Sequence, residues 1–548
     1  MSKAWNRIVD IMNVPPEGDT ASAIVPTTGA RLTENLKCDV LVVGGGMGGV
    51  AAAWASARSG RTVILLEETD WIGGQMTSQG VSALDEHDEI ERRGGTRTYY
   101  ELRRKIRQHY RPGMTAAEEP QINPGNCWVS RVAFEPRVGL EVLQALLRPE
   151  VAAGRLQIRT RCKAFSAEMA GSRVTGVNAI DLDLRTALRI ECRLAIDATE
   201  LGDLLPLTGT GYVVGAETVA ETGEKHAQPH AANADCVQSC TYTFALERRP
   251  EGEMHRTARP THYERYRDGQ PYGLRIHVYG GEIYGEETGW LQYRMFDTLP
   301  GTKGGLWQYR RLVDAAVFSD AARFDVSMFN WPGIDYRDRS LLEQTPEMFA
   351  QSLQDAKRVS LGFLHWLQSE IEPAGTRRGY PNLLLRPDVM GTRDGLSKHP
   401  YIRESRRIRA LRTVVEQDVS VESQAGSFAR AFPDSVGIGW YPIDIHNAGP
   451  GDVGISIRTK PFQIPLGALI PADRPNLLAA AKNIGTTHVT NGCYRLHPVE
   501  WNIGESAGLL AHFSLKHACS PEEVWRSPQR LKDYQELLKG EGVTLAWE

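Results

Sequence analysis

The clearest pattern near the start of the chain is an apolar run that ends in glycines and continues into small residues. Residues 40–43 are all apolar, as are residues 63–66, and runs of this length are typical of strands buried on both faces. Between them, residues 51–57 are mostly alanine, which favours a helix packed closely against a sheet. The order strand, glycine turn, helix, strand predicts the first unit of a doubly wound α/β fold.

Apolar periodicity then predicts further elements. Helical spacing over 99–110 and 138–147 indicates two helices, and short strand-like runs over 156–198 indicate a meander that ends in a strand. After residue 461 the strand–helix rhythm returns, with a strand-like run at 476–481 and a helical pattern over 499–513. From about 207 to 404 the periodicity weakens and aromatic residues, proline and glycine become dense, which indicates an inserted domain.

These patterns predict four segments. Residues 1–35 are polar and proline-containing and are predicted to be an N-terminal extension or loosely packed arm. Residues 36–206 form the first part of a nucleotide-binding domain, and residues 207–460 form a mixed α+β substrate or cap domain. Residues 461–548 complete the nucleotide-binding domain and add C-terminal helices.

The glycine turn matches a dinucleotide-binding motif. Gly44, Gly46 and Gly49 fill the pattern G-x-G-x-x-G, with Met47 and Gly48 between them. The first glycine permits a tight turn, the second lets the backbone approach a pyrophosphate, and the third lets the helix pack on the strand. Glu67 ends the second strand, where a carboxylate can accept hydrogen bonds from a ribose hydroxyl. The pattern predicts dinucleotide binding over a merely structural turn, but it does not separate NAD from FAD.

Composition narrows the class of protein. The chain has 548 residues, 41% of them hydrophobic and 24% charged, and a formal net charge of −4, so neither nucleic acid nor an anionic membrane is an expected partner. No apolar run is long enough for a membrane span, and the opening residues lack the pattern of a secretory signal, so we predict a cytoplasmic protein. Eight cysteines include one C-x3-C pair, Cys236 and Cys240, without a second pair, and we predict no metal site.

Six separated stretches together resemble the FAD-dependent oxidoreductase family with a glutathione-reductase-like FAD domain, in the branch near fumarate reductase flavoproteins. They are residues 42–49, 71–75, 197–203, 403–408, 441–446 and 476–508. The resemblance implies bound FAD. It also implies that the α/β fold is a Rossmann-type FAD-binding domain split by the inserted mixed α+β substrate or cap domain.

Several residues in these stretches are candidate cofactor contacts. Gly73 and Gly74, followed by Gln75, are expected to bring backbone close to the phosphates or the flavin ring, unless they form an ordinary turn. The strand end Asp197-Ala198-Thr199 lies on the usual ligand side of such sheets. Asp203 either binds the cofactor or caps the segment that follows.

The resemblance also implies a role for the C-terminal helix. In the family this helix points its N-terminus at the pyrimidine side of the isoalloxazine. Backbone N–H groups near Asn502 and Ile503 would then stabilise negative charge at the flavin N1–C2=O edge. The alternative is a helix packed through its small residues alone. Asn483 is a candidate polar wall residue of the cofactor site, and Tyr441 is a candidate wall residue of the substrate site.

The candidates for acid–base chemistry are three histidines and an arginine pair. His446 follows a strand-like run and is the first candidate for a base that takes the substrate proton; the alternative is that it only positions the backbone. His497 and His399 are further candidates. Arg403 and Arg406 are expected either to bind a substrate carboxylate or to brace a domain boundary.

Two sets of side chains leave alternatives open. The tryptophans at 290, 307, 331 and 366 lie in the cap region, where they either stack on substrate or form core. Cys127 and Cys493 are the cysteines to inspect for a covalent flavin link, although nothing in the sequence requires one.

The leading functional hypothesis is a dehydrogenase or oxidase. It oxidises a small-molecule substrate at a C–H bond next to oxygen or nitrogen by hydride transfer to flavin N5, and oxygen or another electron acceptor reoxidises the flavin. The alternatives are a reductase of an activated C=C bond with Arg403 as proton donor, an NAD(P)H-dependent monooxygenase, and a flavin-binding scaffold. The absence of a second full G-x-G-x-x-G unit in the sequence disfavours the monooxygenase.

Overall fold

A mixed seven-stranded sheet carries the glycine turn and organises the fold. The computed structural model describes residues 4–115, 121–278, 289–372, 378–449 and 454–548. Within these ranges the strands are β1 (Arg7–Val9), β2 (Ile24–Pro26), β3 (Leu32–Val43), β4 (Val63–Leu66), β5 (Leu156–Arg159), β6 (Cys162–Ala170), β7 (Arg173–Asp181), β8 (Thr186–Asp197), β9 (Tyr212–Val213), β10 (Phe244–Arg248), β11 (Arg275–Val278), β12 (Gly289–Gln292), β13 (Arg311–Val313), β14 (Val326–Phe329), β15 (Leu383–Leu385), β16 (Arg407–Ile408), β17 (Ser435–Gly439), β18 (Ile443–Ile445), β19 (Ile455–Ile457), β20 (Phe462–Pro465) and β21 (Leu477–Ala479).

Helices cover the sheet and build the rest of the molecule. In the described ranges they are α1 (Met47–Arg58), α2 (Arg97–Tyr110), α3 (Pro136–Ala152), α4 (Leu204–Thr208), α5 (Val219–Thr222), α6 (Tyr263–Gly269), α7 (Leu306–Tyr309), α8 (Pro346–Ser369), α9 (Pro387–Met390), α10 (Glu416–Val419), α11 (His488–Tyr494), α12 (His497–Lys516), α13 (Pro521–Arg526) and α14 (Pro528–Gly540). None of the helices in these ranges has the length and apolar character needed to cross a bilayer.

The central sheet confirms the predicted α/β fold. Its strand order is β5-β4-β3-β8-β7-β6, and β21 also pairs with β8. The pairs among β5, β4, β3 and β8, and the pair of β21 with β8, are parallel, whereas β6, β7 and β8 form an antiparallel meander. Parallel strands end at the same edge, so the ends of β3, β4, β8 and β21 lie close together at the usual ligand edge of a Rossmann-like sheet.

Helices α1 and α12 pack closely because glycines line their contact. A Cβ on Gly504 would lie 2.0 Å from the carbonyl oxygen of Gly48, and a Cβ on Gly508 would lie 2.3 Å from that of Ala52. No other residue fits at such distances without moving the backbone. The contact holds the N-terminal half of α1 against the middle of α12, although the two segments are far apart in the sequence.

The inserted region has a hydrophobic core of its own. Its four-stranded sheet has the order β13-β14-β10-β15, and the long helix α8 belongs to the same core. Trp307 and Trp331 are fully buried there, so these two tryptophans are core residues. Trp366 is partly buried against the same core. Trp290 is 56% exposed.

The N-terminal segment packs firmly on this inserted region, so the expectation of a loosely packed arm is wrong. Strands β1 and β2 pair with each other, and the apolar side chains at 8, 9, 11 and 14 are all buried. From helix α8, Lys357 Nζ donates to the carbonyl of Val14 at 2.8 Å and Arg358 Nε to that of Pro16 at 3.1 Å. The few apolar residues of a polar segment were enough to fix it because α8 supplies both an apolar surface and cationic donors.

Candidate functional site

The glycine turn presents backbone N–H groups that have no helical acceptor at the start of α1. Gly46 is the N-cap, so the N–H groups of Met47, Gly48 and Gly49 have no acceptor within the helix. Gly44 adopts a φ of +99°, and a Cβ there would lie 2.2 Å from the carbonyl oxygen of Ala198 at the end of β8. The turn therefore has the backbone geometry of an anion cradle.

Glu67 ends β4 next to this turn, as the sequence predicts. Its Oε2 accepts from the N–H of Gly45 at 2.8 Å, and its Oε1 accepts from the N–H and the hydroxyl of Thr69 at 2.8 and 2.7 Å. Burial and the charge of Glu68 together raise the pKa of Glu67 to about 7, although these hydrogen bonds lower it. The carboxylate is fixed by the turn itself, and its contact with a ribose stays a prediction.

The second glycine pair folds back onto the first turn. The N–H of Gly73 donates to the carbonyl of Gly45 at 2.7 Å, and both Gly73 and Gly74 have positive φ. A Cβ on Gly74 would lie 2.7 Å from the Cα of Gly46. The structure thus places both glycine turns side by side.

A narrow cleft beside the turns gathers many of the predicted cofactor residues. Those that line it are Gly44, Gly46, Glu67, Gly74, Ala198, Thr199 and Asp203, together with His399. His399 is buried there, with Nδ1 2.7 Å from the carbonyl oxygen of Pro400 and Nε2 3.6 Å from Glu68. It does not line the large cavity described below, so its predicted contact with substrate has no support from its position.

Asp197 accepts hydrogen bonds from neighbouring groups of the chain and does not line the cleft. Its Oδ1 accepts from the N–H and hydroxyl of Thr199 at 3.0 and 2.7 Å, and its Oδ2 accepts from the N–H of Leu204 at 3.1 Å. Burial raises the pKa of Asp197 to about 7. Asp203 faces cations, with Lys163 Nζ at 3.7 Å and Arg406 Nη1 at 3.4 Å.

A buried ion cluster that sequence reasoning missed lies against the N-terminus of α1. Lys482 Nζ is 2.6 Å from Glu200 Oε2 and 3.0 Å from Glu500 Oε2, and all three side chains are nearly or fully inaccessible. Glu500 Oε1 accepts from the N–H of Gly48 at 3.3 Å, and Gln75 Nε2 donates to Glu500 Oε2 at 2.7 Å. A carboxylate thus occupies a position where the helix N-terminus favours negative charge.

Only the donors of this arrangement fit the pyrophosphate of a dinucleotide, namely Lys482 Nζ and the N–H groups at the start of α1. Two nearby oxygens are acceptors and leave room for a hydrogen-bond donor instead. Glu200 Oε1 and Gln75 Oε1 are buried without a hydrogen-bond partner, and a Cβ on Gly46 would lie 2.7 Å from that Glu200 oxygen. Burial raises the pKa of Glu500, and the charge of Glu200 adds to this effect against Lys482. Lys482 Nζ and the N–H groups of Met47 and Gly49, which have no acceptor within α1, are the donors that suit a phosphate oxygen.

Helix α12 begins earlier than the predicted flavin contacts require. It starts at His497, so Asn502 and Ile503 lie in its second turn, where helical hydrogen bonds satisfy their N–H groups. The side chain of Asn502 donates to the carbonyl of Val436 at 3.1 Å. The assignment to these two N–H groups is therefore wrong, and the N–H groups without a helical acceptor belong to the buried first turn of the helix.

The side chains of Asn483 and His497 also form hydrogen bonds with backbone groups of the protein. Asn483 Nδ2 donates to the carbonyl of Asp197 at 3.0 Å, and its Oδ1 accepts from Ala481 at 3.1 Å. His497 Nδ1 accepts from the N–H of Asp85 at 3.0 Å, and Nε2 lies 3.0 Å from the carbonyl of Val81. Burial lowers the pKa of His497 to about 4, so this imidazole is neutral and both its nitrogens are occupied. These positions do not support substrate contact by His497.

A cavity of about 870 Å³ is lined mostly by the inserted region, together with residues 85–88 and 128–129 and with Arg495 just before α12. Aromatic side chains form much of its wall: Trp128, Trp290, Tyr309, Tyr401, Trp440 and Tyr441. Two ion pairs face it, with Arg310 Nη2 2.8 Å from Asp85 and Arg495 Nη2 3.2 Å from Asp444. The cavity approaches the glycine turns through Arg495, whose carbonyl accepts from Gln75 Nε2 at 3.1 Å.

His446 lies in the wall of this cavity, as its candidacy requires. Its Nδ1 is 2.6 Å from Asp335 Oδ2, and its Nε2 is 3.6 Å from Asp444 Oδ2. Burial raises the pKa of Asp335, but the charges of Arg403 and His446 outweigh it and lower the pKa to about 2. Asp335 is therefore ionised, and sequence reasoning missed it because no local motif surrounds it.

Arg403 and Arg406 brace the structure, one of the two roles that the sequence left open. Arg403 is 1% exposed; its Nη2 lies 3.2 Å from Asp335 Oδ1, and its Nη1 donates to the carbonyl of Ser239 at 2.8 Å. Arg406 pairs with Glu343 at 2.7 Å and with Asp203. Neither arginine lines the cavity, which does not favour substrate binding or proton donation by Arg403.

The cysteines inspected for a flavin link are buried. Burial raises the pKa of the Cys127 thiol to about 11 and raises that of Cys493 as well. Neither lines the cavity or the cleft. In the described part of the chain no group of three or more His, Cys, Asp and Glu side chains could hold a metal ion.

Comparison with known proteins gives a family match and more distant similarities. The FAD dependent oxidoreductase family matches residues 39–538. Thiamine thiazole synthase of Aeropyrum pernix is 38% identical over 58 residues, 11% of this chain and 22% of that protein. The Desulfosudis oleivorans enzyme of the same name is 50% identical over 54 residues, 10% of this chain and 21% of that protein. The chain thus spans about a fifth of the length of these curated relatives.

Solved structures cover more of the chain at low identity. The FrdA subunit of quinol fumarate reductase from E. coli is 12% identical, with 93% of this chain and 74% of that chain covered and a TM-score of 0.31. The p-nitrophenol 4-monooxygenase PnpA of Pseudomonas putida is 9% identical, with 94% and 88% covered and a TM-score of 0.36.

Proposed function

The chain belongs to the FAD-dependent oxidoreductase family, with FAD as its cofactor, and from that premise we propose that it oxidises a small polar organic molecule at a C–H bond next to oxygen or nitrogen. When bound, FAD supplies an acceptor for a hydride equivalent at its N5 atom. The protein's own residues bind the cofactor, orient the substrate and take up the substrate proton.

The cofactor is held between the two glycine turns and the start of α12. The N–H groups of Met47, Gly48 and Gly49 and the ammonium group of Lys482 receive the pyrophosphate. Glu67, at the end of β4, receives the ribose. The first turn of α12 supplies a positive helix end for the ring. This assignment is supported by the packing of both glycine turns against each other and by the glycine contact of α1 with α12.

His446 accepts the proton that leaves the substrate oxygen or nitrogen. The ionised Asp335 accepts a hydrogen bond from Nδ1–H, which fixes the tautomer with its lone pair on Nε2, on the side of Asp444. When Nε2 takes the proton, the negative charges of Asp335 and Asp444 stabilise the resulting imidazolium. Arg403 acts through Asp335 and is a positioning residue.

The cavity wall is suited to a small polar molecule. The ion pairs Arg310–Asp85 and Arg495–Asp444 offer both donors and acceptors, and the tyrosines at 309, 401 and 441 add hydroxyl groups. The surrounding aromatic rings exclude water from the reacting centre. The neutral imidazole of His497 accepts a hydrogen bond from the backbone N–H of Asp85. It thus fixes the position of this wall residue without touching the substrate.

The observation that carries the proposal is the Asp335–His446 pair in the wall of the large cavity. The experiment is anaerobic mixing of the purified flavoprotein with a panel of alcohols, hydroxy acids, amines and amino acids while the flavin absorption band is recorded. Bleaching by a member of this panel supports the proposal. Bleaching by NAD(P)H alone would contradict the proposal and favour the monooxygenase hypothesis. If a member of the panel bleaches the flavin, oxygen is admitted afterwards, and recovery of the absorption band tests oxygen as the electron acceptor.

A further inference from the structure

Outside the cavity, three side chains form a line from a partly exposed cysteine to a buried carboxylate. Cys236 Sγ lies 3.9 Å from His488 Nε2, and His488 Nδ1 lies 2.8 Å from Glu404 Oε2. None of the three lines the substrate cavity. The order sulfur, imidazole, carboxylate is that of a nucleophile, its ion-pair partner and the group that orients the partner.

The imidazole in the middle of this line is a cation. Burial lowers the pKa of His488, but the charge of Glu404 and the contact with Cys236 raise it to about 10. The other charged groups around it are Arg407, which bonds to Glu404, and Glu217, whose Oε2 accepts from the backbone N–H of His488 at 2.9 Å. Glu217 also pairs with Arg407 at 2.9 Å. Two carboxylates and one guanidinium thus surround the imidazole, which leaves it protonated.

The sulfur receives a second donor and belongs to a residue that is partly buried. Gln228 Nε2 lies 3.8 Å from Sγ. Residues 229–235, which precede Cys236, are all exposed, and Cys236 is partly buried. Two N–H donors that converge on one sulfur match the acceptor capacity of a thiolate.

We propose that Cys236 is a reactive cysteine that attacks as its thiolate beside the His488 imidazolium, and that it is a site of modification by soft electrophiles, hydroperoxides included. With a hydroperoxide, sulfur attacks one peroxide oxygen, an S–O bond forms and the O–O bond breaks. The departing oxygen takes a proton from the imidazolium. Sulfur is oxidised by two electrons to a sulfenic acid, and the peroxide is reduced to water or an alcohol.

The chain contains an internal control. Cys519 is also partly buried, but burial raises the pKa of its thiol and no histidine bond to its sulfur is seen in the described residues. The intact flavoprotein is treated with iodoacetamide between pH 5.5 and 9, and the alkylation rate of each cysteine is measured by peptide mass spectrometry. At pH 6 we expect Cys236 to react at least about tenfold faster than Cys519, with a rate that changes little with pH.

Two variants separate the imidazolium from its surroundings. His488→Asn removes the cation, and the rate of Cys236 at pH 6 is then expected to fall about tenfold or more and to rise with pH. Gln228→Ala removes only the neutral donor and is expected to change the rate less than about threefold. Circular dichroism and flavin absorbance check that each variant is folded. If His488→Asn does not fold, the comparison of the alkylation rates of Cys236 and Cys519 across pH in the wild-type protein decides whether the proposal stands.

The peroxide reaction is followed with dimedone, which traps sulfenic acids. Dilute hydrogen peroxide is expected to give a dimedone adduct on Cys236 before any on Cys519. Alkylation of Cys236 with the same pH dependence as Cys519 would overturn the proposal of a thiolate. Rapid alkylation without a dimedone adduct would overturn its peroxide part.

Discussion

The Nδ1 atom of His446 lies 2.6 Å from Oδ2 of Asp335, although the two residues are 111 positions apart in the chain. The carboxylate is fully buried and also bonds to Arg403 and to the hydroxyl of Thr241. Only the histidine of this group reaches the cavity wall. This contact supports the proposed role of His446 as a base, because a buried anion at Nδ1 selects the ring nitrogen that carries the proton.

Removal of the Asp335 charge tests this orientation. Asp335→Asn is expected to lower kcat by about 10²-fold or more, because the amide no longer selects the tautomer or stabilises the imidazolium. A purely structural role would lower the melting temperature and leave kcat of the folded enzyme unchanged. Steady-state kinetics between pH 5 and 9, with thermal melting as control, distinguish these results.

Lys482 tests the cofactor site. Lys482→Met is expected to weaken FAD binding about tenfold to a hundredfold, because it removes a buried cation from the helix N-terminus that receives the pyrophosphate. Lys482→Arg keeps the charge and is expected to retain more FAD. Lys532→Met removes an exposed lysine and serves as the matched control. Fluorescence titration of the apoprotein gives the Kd, and equal affinities in all three variants would remove Lys482 from the site.

The contact of α1 with α12 tests the fold around that site. Gly504→Ala places a methyl group about 2.0 Å from the carbonyl of Gly48 and is expected to destabilise the protein by roughly 1–3 kcal/mol. Gly540→Ala meets no atom within 4 Å and is expected to leave stability unchanged or raise it slightly. Thermal melting of both variants checks the contrast. An unchanged melting temperature for Gly504→Ala would mean that the helices are not in close contact.

The buried neutral histidine predicts a pH dependence of stability. His497 has its pKa lowered by burial to about 4, against about 6.5 in an unfolded chain. The unfolded state therefore binds the proton first, so stability is complete above pH 6.5 and falls as the pH drops toward 4, by up to about 3 kcal/mol. His87 has a similarly lowered pKa and adds to the same window.

His497→Asn removes one of these two titrations. Urea unfolding at pH 7.5 and pH 4.5 is expected to show a smaller difference in unfolding free energy for the variant than for the wild type. His109→Asn changes an exposed histidine and is expected to keep the wild-type difference. An equal pH dependence in all three proteins would show that His497 is not buried in neutral form.

Sequence patterns predicted the strands and the helix start whose geometry depends on neighbouring residues. The apolar runs gave β3, β4 and the meander β6–β8, and the glycine spacing located the start of α1, because strand periodicity and positive φ are properties of neighbouring residues. The resemblance supplied the cofactor, and the family match confirms it. The helical pattern began at residue 499, two residues after the observed start of α12 at His497, and the N–H groups chosen to face the flavin lie one turn too far along the helix. Helix boundaries depend on caps that the apolar pattern does not contain.

Residues whose role depends on distant partners could not be predicted. Lys482 meets Glu200 across 282 positions, and Asp335 meets His446 across 111, with no pattern at either end. His399, His446 and His497 looked alike in sequence, and only packing separates them: one lines the narrow cleft, one lines the cavity, and one supports the wall from behind.

The most direct test of the account is the rate of flavin reduction in a single anaerobic turnover, measured by rapid mixing of a substrate with wild type and with His446→Gln. His255→Gln, at a histidine paired with Glu253 outside the cavity, is the control. We predict that His446→Gln keeps its bound FAD but is reduced about 10²-fold to 10⁴-fold more slowly than wild type, while His255→Gln is reduced at the wild-type rate. Reduction of His446→Gln at the wild-type rate would contradict the assignment of His446 as the base.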